Sequence, residues 1–144
     1  MPCSHPQNED CVFCRIIRGE LPSHRVYEDD NFVAFLDIQP VVPGHTLLVS
    51  KGHYPPLPDL PEAMGTDLIK GLSRIGTAVM KATGAAGFNC LQNNHPAAGQ
   101  MVFHVHWHII PRFEDDGLKH WPQGIAQTPE AMQELAAKLE RLLR

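Results

Sequence analysis

The segment His104-Val105-His106-Trp107-His108-Ile109-Ile110 places three of the nine histidines of the chain at every second position. A period of two is typical of a β-strand, on which successive side chains point to opposite faces. We therefore expect a strand in which three imidazole rings share one face, about 7 Å apart, and line one groove. The opposite face should be buried in the core, and its residues are Phe103, Val105, Trp107 and Ile109.

A row of imidazoles on a strand is compatible with three kinds of function. Imidazole titrates near neutral pH, so neighbouring rings can supply a nucleophile, a proton donor and an orienting partner. Crowding favours this chemistry, because protonation of one ring disfavours protonation of the next and keeps a lone pair available for attack. The same spacing also suits metal ligands or the polar face of an amphipathic strand. The strand alone leaves all three interpretations open.

The composition restricts the class of protein. A chain of 144 residues suits one domain with a core of its own. A net charge of -4 argues against a broad nucleic-acid-binding surface but not against a small anionic ligand. No apolar run reaches the roughly 18 residues of a membrane span, and the N-terminus lacks the features of a signal peptide. We expect a cytoplasmic protein with a flexible tail at 1–10, one domain at 11–144, and neither membrane nor nucleic acid as a partner.

The apolar pattern predicts an α+β fold. A short helix at 12–19 ends at Gly19, and a long amphipathic helix from about 61 to 82 ends at Gly84. Thr128 and Pro129 are typical N-cap and N1 residues of a C-terminal helix, whose apolar stripe should pack in the core or in a dimer. Strands are expected around Tyr27 and at 32–36, 45–50, 87–92 and the histidine segment. The expected architecture is an antiparallel sheet of about five strands with one long helix and short N-terminal and C-terminal helices.

The cysteines do not indicate a disulfide framework, since the cytosol is reducing. Cys11 and Cys14 form a C-x-x-C pair, which by itself is compatible with half of a zinc site, a redox pair or chance. Cys90 lies in an apolar run and is expected to be a small core residue. We assign no role to Cys3 or His5.

Several ordered motifs resemble those of the histidine-triad (HIT) superfamily. The alternating histidine segment follows Gly99-Gln100-Met101-Val102-Phe103, which is similar to the G-Q-x-V-x-H lead-in of that family. Further matching segments occur in the same order at 11–22, 34–40 and 43–49. The resemblance covers about 11–123 and is to the bacterial HIT and histidine-triad nucleotide-binding branch.

This resemblance implies a nucleotide hydrolase or transferase with a HIT-like fold. Such an enzyme cleaves purine nucleotide derivatives at the α-phosphate, with a phosphoramidate or dinucleoside polyphosphate as substrate, through a nucleotidyl-histidine intermediate. The implied nucleophile is His106, with His108 bonding the phosphoryl oxygens or the leaving group, and with His45 and His104 as orienting residues. Two alternatives are a metal-dependent hydrolase whose ligands are the three histidines and a non-catalytic nucleotide-binding module.

The resemblance also implies a nucleotide site. Asp37 would bind the ribose hydroxyls, four apolar residues would enclose the purine, and the loop at 93–100 would hold the phosphate. The implied residues are Phe13, Ile16, Phe35, Asp37, Ile38, Asn93, Gly99, Gln100, Met101, His106 and His108. From the residues alone, Asp37 could instead cap a turn, the apolar residues could be core, and the loop could be an ordinary turn. Met101 and His95 depart from the hydroxyl residue and the glycine that relatives often carry.

By the same resemblance, His53 and His104 complete a zinc site with Cys11 and Cys14. The ion would be structural, and no organic cofactor is expected. The resemblance further implies a homodimer that joins two sheets, with Trp121 approaching the active site across the interface. The alternative is that this tryptophan fills a surface groove.

Overall fold

The computed structural model describes residues 5–144 and confirms the α+β architecture. Three α-helices and five strands follow in the order α1 Val12–Ile17, β1 Arg25–Glu28, β2 Phe32–Leu36, β3 Thr46–Ser50, α2 Gly65–Thr83, β4 Gly87–Leu91, β5 His106–Arg112 and α3 Pro129–Leu143. Single 3-10 turns occur at Leu57–Asp59, Glu62–Met64 and Pro96–Ala98. The strands form one antiparallel sheet in the order β1-β2-β3-β5-β4.

The ends of the two longer helices follow from local chemistry. Gly84 ends α2 in the left-handed conformation, at a φ of 75°, and its N–H donates to the carbonyl of Met80. Glycine adopts this conformation without steric cost. At α3 the Thr128 hydroxyl accepts a hydrogen bond from the Ala131 N–H, and Pro129 occupies the first turn, as predicted.

The two faces of the sheet have different partners. One face packs against α2 through a buried core that contains Phe32, Ala34, Leu48, Ile75, Val79, Val105, Trp107 and Ile109. On the other face, α1 contributes Phe13 to a smaller cluster with Val33, Phe35, Leu47 and Val49. Since helix α2 covers one face only, the face beside α1 is left to form a site.

The N-terminal residues that the structure describes make hydrogen bonds to the sheet region. Pro6 accepts from the His53 N–H at 2.7 Å, and Gln7 donates to the Lys51 carbonyl at 2.7 Å. A ring nitrogen of His5 lies 2.9 Å from the Asp30 carbonyl. Cys3 lies outside the described residues, as does the first part of the segment predicted to be a tail.

Three details were predicted wrongly: the start of β5 and the burial of Phe103 and of Cys90. Strand β5 begins at His106 rather than His104, because Val105 donates its N–H to Tyr54 in a loop and not to a neighbouring strand. Phe103 therefore precedes the strand and is half exposed. Cys90 is exposed because β4 is an edge strand on which Phe88, and not Cys90, packs against α2 at Gly76.

The apolar stripe of α3 does not belong to the core of the single chain, because none of the residues of this helix is buried. Along residues 5–144, no helix combines the length and the apolar character needed to cross a membrane.

Candidate active site

A cleft of about 640 Å³ opens on the sheet face beside α1. Its size falls within the range of small-molecule sites, which is roughly 300 to 1,000 Å³. Every residue predicted to bind the nucleotide, apart from Gln100, lines this cleft: Phe13, Ile16, Phe35, Asp37, Ile38, Asn93, Gly99, Met101, His106 and His108. The apolar walls come from α1 and β2, and the polar groups come from the end of β2, the loop after β4, and β5.

The ring of His106 is held in one orientation and one tautomer. Its Nδ1 donates to the main-chain carbonyl of His104 at 2.7 Å. A carbonyl only accepts, so Nδ1 carries the proton and the lone pair of the neutral ring lies on Nε2. Burial lowers the pKa of His106, so the ring is neutral near pH 7. The result is a nucleophilic nitrogen at the wall of the cleft.

The proton on His108 is placed by a relay of hydrogen bonds. The Val41 N–H donates to Nδ1 of His45 at 3.1 Å, so the proton of the neutral His45 ring lies on Nε2. That Nε2 lies 2.9 Å from Nδ1 of His108, which accepts it. The neutral ring of His108 must then carry its proton on Nε2, as a hydrogen-bond donor. Burial lowers the pKa of His108 to about 4, with the neighbouring His106 and His45 adding to the effect.

His104 does not share this groove, contrary to the expectation of three rings in one row. It is fully buried, and its Nε2 donates to the Ser50 carbonyl at 2.7 Å. Its Nδ1 lies 3.3 Å from the sulfur of Cys11 and 3.5 Å from that of Cys14. The strand period does not reach this residue because β5 starts two residues later.

Four residues form a cluster with metal-binding geometry, called here the Cys–His cluster: Cys11, Cys14, His53 and His104. Their ligand atoms all lie within 4.8 Å of one another, and the sulfur of Cys14 lies 3.4 Å from Nδ1 of His53. Tetrahedral zinc bound by sulfur and nitrogen separates such ligand atoms by roughly 3.5 Å. The four residues therefore fit the ion that the C-x-x-C pair suggested.

The protonation of the Cys–His cluster also suits a cation. Burial raises the pKa of Cys14 to about 11, so this thiol depends on a nearby positive charge to ionise. Burial lowers the pKa of His53 and lowers that of His104 to about 4, so both imidazoles are neutral and can offer a lone pair.

The three triad histidines do not converge on one point. The nitrogen of His104 faces the Cys–His cluster, whereas His108 is grouped with His45 and Asp37, whose ligand atoms lie within 4.8 Å. In this second group the facing nitrogens of His45 and His108 already share a hydrogen bond. The arrangement gives no support to a metal-dependent hydrolase that uses the three triad histidines as ligands.

Gln100 is buried and lies outside the cleft. Its amide nitrogen donates to the carbonyls of Pro55 at 2.7 Å and Val102 at 3.1 Å, while its oxygen accepts from the His95 N–H at 2.7 Å. These bonds use both N–H groups of the amide. Gln100 thus fixes the loop that carries Asn93 and Gly99, and its side chain is not part of the cleft wall.

Asp37 combines a turn role with a position in the cleft. One carboxylate oxygen accepts from the Gln39 N–H at 2.8 Å, which is the capping role considered from the sequence. The other oxygen lies 3.6 Å from Nε2 of His45. The carboxylate retains acceptor sites for hydroxyl groups in the cleft.

The two residues that depart from the resemblance differ in their positions. Met101 is 85% exposed and lines the cleft, where its thioether donates no hydrogen bond. His95 has a φ of 72° and a ψ of 158°, a conformation that belongs to glycine. The backbone of the loop at 93–100 is therefore strained at His95.

The sequence interpretation missed one group that the site uses. The main-chain N–H of Val41 sets the tautomer of His45. No side-chain pattern could reveal it, because every residue except proline has the same N–H.

Comparison with known proteins identifies the family of the chain. A family model described as "HIT domain" matches residues 18–115. The chain belongs to the HIT family. Adenylylsulfatase HINT3 of Arabidopsis thaliana is 49% identical over 109 residues, which cover 76% of this chain and 55% of that relative. The chain therefore spans about half the length of that relative.

Two further proteins are similar to the chain over most of their length. Adenosine 5'-monophosphoramidase HNT1 of Saccharomyces cerevisiae is 41% identical over 135 residues, covering 90% of this chain and 83% of the relative. The crystal structure of a zinc-bound histidine triad family protein from Mycobacterium smegmatis matches with a TM-score of 0.73 and 37% identity, covering 92% of this chain and 95% of that one.

Proposed function

We propose that the chain is a nucleotide hydrolase that cleaves adenosine phosphoramidates and related adenylyl derivatives at the α-phosphate. The observation that carries this proposal is the lone pair of His106 Nε2, fixed by the bond from Nδ1 to the His104 carbonyl at the wall of the cleft. Relatives that are named as an adenosine monophosphoramidase and an adenylylsulfatase support the adenylyl group as the common part of the substrate.

The purine would lie between apolar walls and the ribose beside a carboxylate. Phe13, Ile16, Phe35 and Ile38 line one end of the cleft, where stacking and burial favour a flat base. Asp37 would accept from the two ribose hydroxyls, since it lines the cleft and its carboxylate retains acceptor sites. Asn93 and the backbone that follows Gly99 would meet the phosphate oxygens.

In the first step, Nε2 of His106 forms a bond to the α-phosphorus as the bond to the leaving group breaks. The leaving group departs with the bonding electron pair and takes up a proton from solvent. The imidazole becomes cationic, and its Nδ1–H strengthens the hydrogen bond to the His104 carbonyl. The Nε2–H of His108 donates to the phosphoryl oxygens or to the leaving atom.

In the second step, water attacks the same phosphorus and the bond to His106 breaks. The electron pair of the broken bond returns to Nε2, which restores the neutral ring, and the attacking water loses one proton to solvent. The products are the nucleoside monophosphate and the free leaving group. Two easier displacements thus replace one difficult displacement.

We further propose that the Cys–His cluster holds a structural zinc ion. The ion would tie α1, the segment after β3 and the start of the triad segment to one another. None of the steps above uses it.

A homodimer is the assembly that the exposed surfaces favour. Strand β4 is an edge of the sheet with Cys90 and Leu91 exposed, and such an edge is available for pairing with another strand. The apolar residues of α3 and Trp121 are also exposed. We propose that a second copy covers these surfaces, which a measurement of solution mass by light scattering would test.

The decisive experiment traps the intermediate. Protein mixed with adenosine phosphoramidate and quenched in alkali should carry one adenylyl group on His106 by peptide mass spectrometry. His106→Gly should lose turnover by about 1,000-fold or more while still binding AMP, whereas His24→Gly, at an exposed histidine, should retain turnover. Unchanged turnover in His106→Gly would refute the proposal.

The second candidate function is a nucleotide-binding module without catalysis. The strain at His95 and the thioether of Met101, in place of a hydroxyl, are the observations that favour it. AMP binding without any measurable turnover of phosphoramidate or dinucleoside polyphosphate substrates would establish that alternative.

A further inference from the structure

Helix α1 belongs to both the Cys–His cluster and the cleft. Cys11 and Cys14 bracket Phe13 in sequence, and their sulfur atoms face His104 and His53 at 3.3 and 3.4 Å. The ring of Phe13 points instead into the wall of the cleft, where it packs edge-on against Phe35 with ring centroids 5.6 Å apart. The N-terminal turn of α1 therefore carries two metal-type ligands and one wall of the nucleotide site.

A second connection passes through His104. Its ring belongs to the Cys–His cluster, while its main-chain carbonyl accepts the hydrogen bond that orients His106 at 2.7 Å. The ring of Phe13 packs edge-on against both imidazoles, with centroids 5.8 Å from His104 and 5.0 Å from His106. A ligand of the cluster, the cleft wall and the nucleophile are thus in mutual contact.

The anchoring of α1 makes these contacts sensitive to the cluster. The helix has six residues, which is too short to be stable on its own. Arg25 holds its C-terminal end by donating to the carbonyls of Ile16 and Ile17 at 2.8 and 3.0 Å. The N-terminal end carries Phe13, whose ring is packed in the smaller cluster, and Cys11, whose N–H donates to the Asn8 carbonyl at 3.2 Å. The side chains of Cys11 and Cys14 tie the same end to His104 and His53. One ion bound to four ligands would hold that end in a single position.

We propose that zinc at the Cys–His cluster and a nucleotide in the cleft bind with positive linkage, and that Phe13 is the positioning residue that transmits it. The proposal rests on the proposed function, since it takes AMP as the ligand of the cleft. Order imposed on α1 by either ligand lowers the entropic cost of binding the other. By thermodynamic reciprocity, zinc must change the affinity for AMP by the same factor as AMP changes the affinity for zinc.

The first test measures both sides of this linkage. Calorimetry gives the Kd of AMP for zinc-loaded and zinc-stripped protein, and competition with a chelator gives the Kd of zinc with and without saturating AMP. We expect the two ratios to agree and to be about fivefold or more, the lower end of typical coupling. His24→Asn, at an exposed histidine outside both the cluster and the cleft, is the matched control and should keep the same ratio.

The second test uses Phe13→Leu, which keeps an apolar wall but removes the ring between His104 and His106. The effect of AMP on the zinc Kd should fall to within about twofold of unity, the limit of additivity for independent sites. This comparison starts from folded, zinc-loaded protein, so it remains decisive even where stripped protein unfolds.

Three results would overturn the proposal or a part of it. Equal AMP affinity of loaded and stripped protein would refute the linkage, and an unchanged ratio in Phe13→Leu would refute Phe13 as the residue that transmits it. Both results would leave the proposed function standing. A zinc-loaded protein that does not bind AMP at all would refute the proposed function together with the linkage.

Discussion

Nε2 of His45 donates a hydrogen bond to Nδ1 of His108 at 2.9 Å, and this bond determines which nitrogen of His108 carries a proton toward the cleft. His45 is itself 3% exposed and lies 3.6 Å from a carboxylate oxygen of Asp37. We therefore propose that His45 acts on the reaction through His108 and not on the substrate.

Replacement of His45 tests this positioning role. His45→Phe keeps a ring of similar size but removes the donor, so kcat should fall by about 100-fold, the lower end of what a positioned proton donor contributes. KM should change little, because His45 does not line the cleft. His45→Gln retains an N–H donor and should recover part of the lost kcat. Equal kcat values for the two variants would show that the hydrogen bond is not the cause.

The pH dependence of stability should report on His108. The pKa of His108 is about 4, below the ordinary 6.5, so the folded protein binds fewer protons than the unfolded chain between these values. The free energy of unfolding should therefore decrease as pH falls from about 6.5 toward 4, by at most about 3 kcal/mol for this group. The carboxylate of Asp37 opposes the shift, and the rings of His45 and His106 add to it.

Urea denaturation of wild type and His108→Asn at pH 7, 6 and 5 isolates this contribution. Decreases in the free energy of unfolding that both proteins share, including those caused by the Cys–His cluster, cancel when the variant is subtracted from wild type. The variant should lose less stability than wild type over this range. A constant difference between the two curves at every pH would contradict the lowered pKa.

Asp37→Asn should weaken nucleotide binding and reduce ribose discrimination. A charged hydrogen bond contributes about 1.5–3 kcal/mol, so the Kd for AMP should rise by roughly 10- to 100-fold. Binding of 2',3'-dideoxy AMP should change far less, because that ligand lacks both hydroxyls. Asp59→Asn, at an exposed position, is the control. An equal loss of affinity for both nucleotides would place the carboxylate away from the ribose.

His95→Gly should stabilise the protein. The φ of 72° with ψ of 158° costs a non-glycine residue about 1–3 kcal/mol, whereas glycine loses about 0.5–1 kcal/mol through its more flexible unfolded chain. The net gain should be roughly 1 kcal/mol in urea denaturation. The control is His24→Gly, at an exposed position without a positive φ. Because it relieves no strain, this substitution should slightly destabilise the protein. A loss of stability at both positions would show that the loop stores no strain at His95.

Much of the fold was predictable because its signals are local. The apolar period and Gly84 predicted the end of α2, and Thr128 with Pro129 predicted the start of α3. The alternation of histidine and apolar residues, which is also a local signal, predicted the strand that contains His106 and His108. These features depend on residues a few positions apart.

The errors arose where distant segments decide the outcome. The strand could not be seen to stop short of His104, because the partner that ends it is Tyr54 in another loop. Gln100 could not be recognised as buried, because it bonds to the carbonyl of Pro55. Cys90 looked like a core residue because the sequence does not show that β4 is an edge strand.

The tautomer relay begins at a peptide group, the N–H of Val41, which donates to Nδ1 of His45. Every amino acid except proline carries the same N–H, so the bond to His45 does not depend on which side chain stands at position 41. Proline at this position would remove the N–H that fixes the tautomer of His45, and we expect the proposed reaction to fail although every histidine would remain in place.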